Sequence, residues 1–202
     1  MLITETITDF SKLASEQKKC FFKKIWIFDQ QIFPNSSVEE IYNFVHDVDA
    51  VSVKVIHYYH EGKLIGQNVL PILKLSLDGK PIFVLSSRAG ILPAYRSGHI
   101  TLNSAIRVVL NHQIRHLTIP LWFVTTVIQP KVYTIFASRS HNFFPRAERQ
   151  TPQDYLQVLN VVQQRQHEVQ KRREDIFVHP VVMPKVTLNQ LMCLRSKATK
   201  HI

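Results

Sequence analysis

Glycine and cysteine are scarce in this chain, and carboxylates are outnumbered. Five glycines stand beside ten prolines in 202 residues, which excludes a collagen-like or glycine-rich low-complexity chain. Cys20 and Cys193 are too few and too far apart for a disulfide framework or a thiolate metal site. Reduced thiols in a cytoplasmic protein are the expectation. No His, Cys or Asp grouping has metal-ligand spacing, so no metal is expected. The longest apolar stretch, around Leu117 to Ile128, is far short of the roughly 20 residues that span a bilayer. Met1 to Ser15 is polar and acidic, without the basic start and apolar core of a signal peptide. A soluble protein without a transmembrane segment is expected. Asp and Glu number 15 against 25 Lys and Arg, a net charge of +10 and a pI near 9.8. Such an excess favours polyanionic partners, whether nucleotide cofactors, nucleic acid or acidic membrane surfaces, without choosing among them.

What is present is an ordinary globular balance, 45% apolar and 20% charged, enough for one well-buried domain with an appended segment. Residues 10 to 48 read as helical, with Phe21, Phe22, Ile25, Trp26, Phe28 and Ile32 crowding one region. Core packing against a sheet is one reading of that lipophilic segment, and a membrane-surface helix is the other. Ser36-Ser37-Val38-Glu39-Glu40 resembles a capping box at the start of a helix through about Val48. Val51 to His60 alternates and is β-branched, Glu61-Gly62-Lys63 signals a hairpin, and Leu64 to Leu77 pairs back. Asp78-Gly79 marks a second tight turn leading to Pro81–Ser87. A helix over Leu102 to His112 follows, then an apolar run, Thr118 to Ile128, expected as a strand buried on both faces and parallel to the Ile82 strand. Pro130 suits the first turn of a helix through Ser138.

Beyond Pro145 a helix starts at Thr151-Pro152-Gln153-Asp154 and turns almost wholly polar from Gln163 to Arg173, as a solvent-projecting end. Asp175 to Val186 offers one edge strand, since its prolines exclude a central position. Arg195 to Ile202 is a basic tail expected to be disordered. The organisation is an N-terminal helical part (1–50), a core (51–146), and a C-terminal helix, edge strand and tail (147–202).

The informative stretch is Gly90-Ile-Leu-Pro-Ala-Tyr-Arg-Ser-Gly-His-Ile-Thr101. A strand, a tight turn and a helix in that order gather partnerless N–H groups at a helix N-terminus, a place suited to phosphate. Arg96 and His99 lie in the same turn. An ordinary strand–loop–helix connection is the bland alternative. Pro93-x-Tyr95-Arg96 resembles the acyl-CoA-binding motif of the GNAT (Gcn5-related N-acetyltransferase) superfamily. Ile91, Pro93, Tyr95, Arg96 and Ile100 fit that pattern; two glycine positions read Ser97 and His99 around Gly98, and Thr101 replaces the last small residue. The resemblance covers roughly residues 51 to 146. It implies a GNAT-like α/β fold, an antiparallel meander plus a parallel strand flanked by helices, with a C-terminal helical extension.

The resemblance further implies acetyl-CoA or a longer acyl-CoA as donor and an amine as acceptor. Ile91 or Leu92 would supply main-chain contacts to the donor. Leu92, Tyr95, Arg96, Ser97, Gly98, His99, Ile100 and Thr101 would face its phosphates. Tyr133 takes the place of the acid that protonates the leaving thiolate; the alternative is an aromatic packing its helix. Arg88 either binds a substrate carboxylate or forms a structural salt bridge. His57 and His60, three apart in a strand, point to opposite faces and read as strand-surface histidines. Glu61 reads as a solvated turn residue, and Arg139, His141 and Asn142 as acceptor-pocket residues or a polar loop. Two rivals stand beside the acyltransferase: a catalytically inactive GNAT-like binding or interaction domain, and a nucleic-acid binder using Arg165 to Arg173. The latter lacks the interleaved aromatics of a stacking platform, and a solvated basic helix explains the charge.

Overall fold

A computed structural model describes residues 2–96, 100–127, 130–165, 170–173 and 175–178. The chain divides into two compact units, Met1–Thr125 and Thr126–Ile202. In the first, strands β1 (Thr4–Asp9), β2 (Ala50–His60), β3 (Lys63–Leu77) and β4 (Lys80–Leu85) form an antiparallel meander, and β6 (Leu121–Phe123) pairs with β4 in parallel. Helices α1 (Ser15–Ile32) and α2 (Val38–Val45) cover one face, and α3 (Ile100–Gln113) covers the other. This is the mixed α/β architecture expected from the sequence, an antiparallel meander plus a parallel strand flanked by helices. The opening strand β1 had no counterpart in the sequence reading, because its Thr-Glu-Thr-Ile-Thr-Asp pattern is too polar to register as an edge strand.

Both hairpin turns form as their residues dictate. Glu61 and Gly62 have φ of 48° and 76°, and Asp78 and Gly79 have 49° and 76°. These left-handed pairs make two-residue turns whose twist matches the strands they join. The second turn sets a register that does not slip. Leu77 faces Lys80, Ile72 faces Leu85, and the same ladder continues through β5 (Arg88–Ile91), where Val69 faces Arg88 and Gly66 faces Ile91. β4 and β5 are therefore one strand with a break at Ser86 and Ser87. Pro71 causes it: Ser86 N–H donates to the Pro71 carbonyl at 3.1 Å, but proline has no N–H to return the bond.

The two faces bury separate cores. On the α3 side Ile56, Tyr58, Leu70, Ile72, Phe83 and Leu85 pack with Ala105 and Val108. On the α1–α2 side Val53, Val55 and Val69 meet Ile25, Ile41 and Val45, with Phe21, Phe22 and Trp26 against them. The lipophilic segment of α1 thus takes the core reading. Each fully buried aliphatic side chain contributes about 1.5–3 kcal/mol relative to exposure. The run Thr118–Ile128 departs from expectation: only Leu121–Phe123 pairs, and all three are partly or well exposed. An outermost strand has one neighbour only, so the two-sided burial inferred from its composition is absent.

In the second unit, α4 (Pro130–Arg139) and α5 (Gln153–Gln163) are followed by a two-stranded ribbon, β7 (Gln170–Arg173) and β8 (Ile176–Val178). Stacked Phe136 and Phe143, and Phe144 against Tyr155, fill the space between the helices. Arg146 ties the end of α4 through the Ala137 and Phe143 carbonyls. The expected helix over Gln163–Arg173 stops at Gln163, and Gln170–Arg173 pairs with Ile176–Val178 instead of with the main sheet. The basic tail, Cys193 and Pro180 to Val186 lie outside the described residues. Among the described residues no helix is long and apolar enough to cross a membrane.

Candidate functional site

Backbone polarity along the β4–β5 strand creates the site. Leu92 N–H donates to the Ile65 carbonyl at 2.9 Å, so Leu92 and Gly90 turn their N–H and C=O groups towards β3. Alternation in an antiparallel ladder then turns Ala89 and Ile91 away from β3. Every outward odd residue obeys this parity. Phe83 N–H bonds the Pro120 carbonyl, the Leu85 carbonyl accepts from Val124 N–H, and the Ser87 carbonyl accepts from Thr125 Oγ1 at 3.1 Å. Beyond Ser87, among the described residues of the first unit, no strand pairs with this edge. The Ala89 and Ile91 N–H groups accordingly face an open edge, a notch where β6 has parted from the strand it joined at Phe83–Leu85. Of the two main-chain candidates, Leu92 has spent its N–H on β3, and Ile91 has not.

The turn after the notch follows the motif. Pro93–Tyr95 makes one 3-10 turn, with Pro93 at its first position and Tyr95 N–H on the Leu92 carbonyl. Arg96 Nε donates to the Ile91 carbonyl at 2.9 Å, placing an exposed guanidinium at the mouth of the open edge. Tyr95 packs against the α3-side core, with the His60 ring 5.6 Å from it and the Lys63 ammonium 5.9 Å above it. Ile100 opens α3 and is half-buried in that core. The Thr101 carbonyl lies 3.4 Å from Asn68 Nδ2. Ser97, Gly98 and His99 lie outside the described residues.

Close approach shapes the wall of the notch. A Cβ on Gly66 would run into Ile91 Cδ1 and crowd the Tyr58 ring, and one on Gly90 would run into the Ile32 side chain. Below the first turn of α3 lies a buried polar group that the sequence did not reveal. Ser87 Oγ donates to Asn68 Oδ1 at 2.9 Å, and Ser104 Oγ to Glu5 Oε2 at 2.6 Å. Burial pushes the neighbouring Tyr58 hydroxyl up to about 12. That hydroxyl lies near Ser104 and Asn68 but makes no bond of good geometry among the described residues.

On the α1–α2 side the strand carries Arg88. Its guanidinium grips Asp29 through two bonds of 2.7 and 2.8 Å, reaches Glu40 Oε1 at 2.7 Å, and stacks 4.5 Å from the Phe33 ring. Ser36 Oγ also reaches Asp29, while Ser37 caps α2 by accepting the Glu40 N–H at 3.0 Å. The arginine considered for a substrate carboxylate is thus held by two carboxylates of its own chain. Of those partners, Glu40 was legible only as part of the capping-box segment, and Asp29, inside α1, was not singled out by the sequence. Burial alone would lower the Arg88 pKa, but Asp29 and Glu40 raise it above the ordinary value.

The remaining candidates separate. His60 has the Leu2 carbonyl at 3.0 Å. His57 is buried, which corrects its reading as a surface residue: it packs on Phe21 and lies 3.1 Å from Gln67 Oε1. Burial, with a smaller push from the Lys24 ammonium and against the Gln67 bond, drives its pKa down to about 4. Because the unfolded chain binds this proton near pH 6.5 and the folded chain does not, stability falls as pH drops from about 6.5 to about 4. The loss amounts to about 3 kcal/mol. Urea unfolding at pH 7 and pH 5 should show about 2 kcal/mol of it, with the pH dependence reduced in His57→Gln.

Tyr133 belongs to the second unit. Its hydroxyl donates to the Pro145 carbonyl at 2.7 Å and its ring packs 5.7 Å from Phe143. Burial, then nearby Glu148, raises its pKa, with Arg146 opposing. Among the described residues no group of three or more His, Cys, Asp or Glu side chains is arranged to hold a metal.

No family model matches the chain, and no curated protein does. Solved structures do. A ribosomal-protein-alanine N-acetyltransferase from Brucella melitensis biovar Abortus 2308 aligns at 9% identity, over 75% of this chain and 100% of that one, with a TM-score of 0.46. The aminoglycoside N-acetyltransferase AAC(6')-Iy in complex with CoA aligns at 11% identity, over 75% and 95%, with a TM-score of 0.48. A predicted acetyltransferase with acetyl-CoA from Clostridium acetobutylicum aligns at 11%, over 75% and 96%, with a TM-score of 0.43.

Proposed function

We propose that this chain binds an acyl-CoA at the open edge of the β4–β5 strand and transfers the acyl group to an amine. The observation that carries the reading is the outward Ile91 N–H, unclaimed by β3 and next to the Pro93–Arg96 turn. A fixed N–H aimed at a thioester carbonyl oxygen stabilises the charge that gathers there in the transition state. The neutral amine attacks the carbonyl carbon, the oxygen takes the negative charge, and the C–S bond then breaks. The proton lost by nitrogen ends on the thiolate sulfur, so no covalent enzyme intermediate is needed. Arg96 offers its remaining guanidinium N–H groups to the donor's phosphates. On the other face, Asp29, Arg88 and Glu40 carry one net negative charge, which favours a cationic acceptor.

Calorimetric titration with acetyl-CoA tests the reading. Micromolar binding that Arg96→Ala weakens about tenfold is expected, since a charge-assisted bond contributes about 1.5–3 kcal/mol. Absence of binding overturns it. Binding without CoA release, measured against a panel of amines, favours the second reading, a binding domain that has lost transfer. That reading is supported by the Tyr133 hydroxyl, whose proton is already committed to Pro145.

A further inference from the structure

Asn68 of β3 is a polar side chain set in an apolar row. Its ladder partners are Ile56 and Ala89, so it shares the α3-side face with Ile56, Leu70 and Ile72. It is only 1% exposed. A buried amide among aliphatic neighbours is costly unless its donors and its acceptor find partners. Here the partners stand on two different elements. Nδ2 lies 3.4 Å from the Thr101 carbonyl, in the first turn of α3, and Oδ1 accepts from Ser87 Oγ at 2.9 Å. These partners dictate which way the amide points. A carbonyl can only accept, so the nitrogen faces Thr101, and a hydroxyl supplies the hydrogen that the oxygen takes.

The places of the two partners give this bridge its meaning. Ser87 stands at the closed end of the notch. Its carbonyl accepts from Thr125 Oγ1, beyond the end of β6, and the outward Ala89 and Ile91 amides come just after it. Thr101 belongs to the helix start that follows the Pro93–Tyr95 turn. Along the chain these places are joined only through β5 and the turn, whereas Asn68 joins them through one buried side chain of a third element.

We propose that Asn68 is a positioning residue for the donor: by holding Ser87 and Thr101 together, it sets the span between the open edge and the start of α3. The inference rests on the reading that an acyl-CoA lies at the notch with its phosphates towards the turn and the helix. A ligand gripped at two places binds well only when those places keep their distance, and a misplacement of about 1 Å can cost about 100-fold. Asn68 acts through its two partners and not by touching the reacting atoms.

Calorimetric titration of acetyl-CoA into full-chain variants tests it, with the urea midpoint of each measured alongside. Asn68→Leu keeps the buried volume and strands no polar group, since the Thr101 carbonyl lies within the helical ladder and Ser87 is only half-buried. It should weaken acetyl-CoA about tenfold, and Ser87→Ala should do the same. The double variant should lose about tenfold and not about a hundredfold, because both changes cut one bridge. Ser87→Thr, which keeps the hydroxyl, should bind far more tightly than Ser87→Ala. A merely structural role would move the urea midpoint and leave the affinity of the folded protein alone. If Asn68→Leu fails to fold, Ser87→Ala and Ser87→Thr decide. Wild-type affinity in Asn68→Leu or in Ser87→Ala overturns the proposal, as do losses that multiply in the double variant. Those outcomes strike the bridge alone, whereas a wild-type chain that binds no acetyl-CoA strikes the reading of the notch and the bridge with it.

Discussion

Replacing Arg88 with alanine should cost about 3–5 kcal/mol of stability, the largest effect expected of any single side chain in the first unit. Asp29 is buried and Arg88 only 14% exposed, so removing the guanidinium strands a desolvated carboxylate beside a second one. Breaking one partner of a buried ion pair is costly because the other charge stays behind. The effect should appear as a lower urea midpoint with unchanged slope. Asp29→Asn in the same chain should restore part of the loss, because the stranded charge is gone. A loss under about 1 kcal/mol, the range of exposed pairs, would show that Arg88 is solvated and that α1 and α2 are not tied to the strand through it. Structure and function meet here, since Arg88 begins the segment whose far edge is open.

Ile91→Pro should lower acyl transfer by about 100-fold or more while leaving the fold largely intact, the typical loss when one oxyanion donor is removed. Proline deletes a single N–H, and at position 91 that N–H points away from β3, where an edge tolerates it. The residue before proline must be extended, and Gly90 already is, within β5. Ile91→Ala controls for the side chain, which packs on the α3-side core. Leu92→Pro gives the opposite outcome: it breaks the bond to the Ile65 carbonyl and should destabilise the sheet. Equal transfer by Ile91→Pro and Ile91→Ala would remove the Ile91 amide from the mechanism.

The contrast between positions 91 and 92 was within reach of the sequence. A two-residue turn at Asp78-Gly79 fixes the register of everything it joins, and counting outward from Leu77 and Lys80 places Ile91 opposite Gly66. The strands β2 to β4, the α3 helix and the motif turn were legible because each has a periodic pattern or a turn residue with one conformational meaning. Three features were not. β1 is an edge strand, too polar for its composition to mark it. The strand Leu121–Phe123 occupies three residues of an eleven-residue apolar run, since composition records hydrophobicity and not which neighbour is missing. The Arg88 network joins Asp29, Glu40 and Arg88 across 59 residues, and no local spacing predicts a tertiary ion pair. His57 shows the same limit in reverse. Strand periodicity placed it on a face, but only the packing of α1 decided that the face is buried.

Amide hydrogen exchange along residues 86 to 92, with and without acetyl-CoA, bears most directly on the open edge. Gly90 and Leu92 face β3 and should be protected in both states. Ala89 and Ile91 should exchange fast in the free protein and slow down when the donor is bound. Acetyl-CoA binding that leaves the Ala89 and Ile91 amides as fast as before would contradict the account, because the donor would then lie somewhere other than the notch.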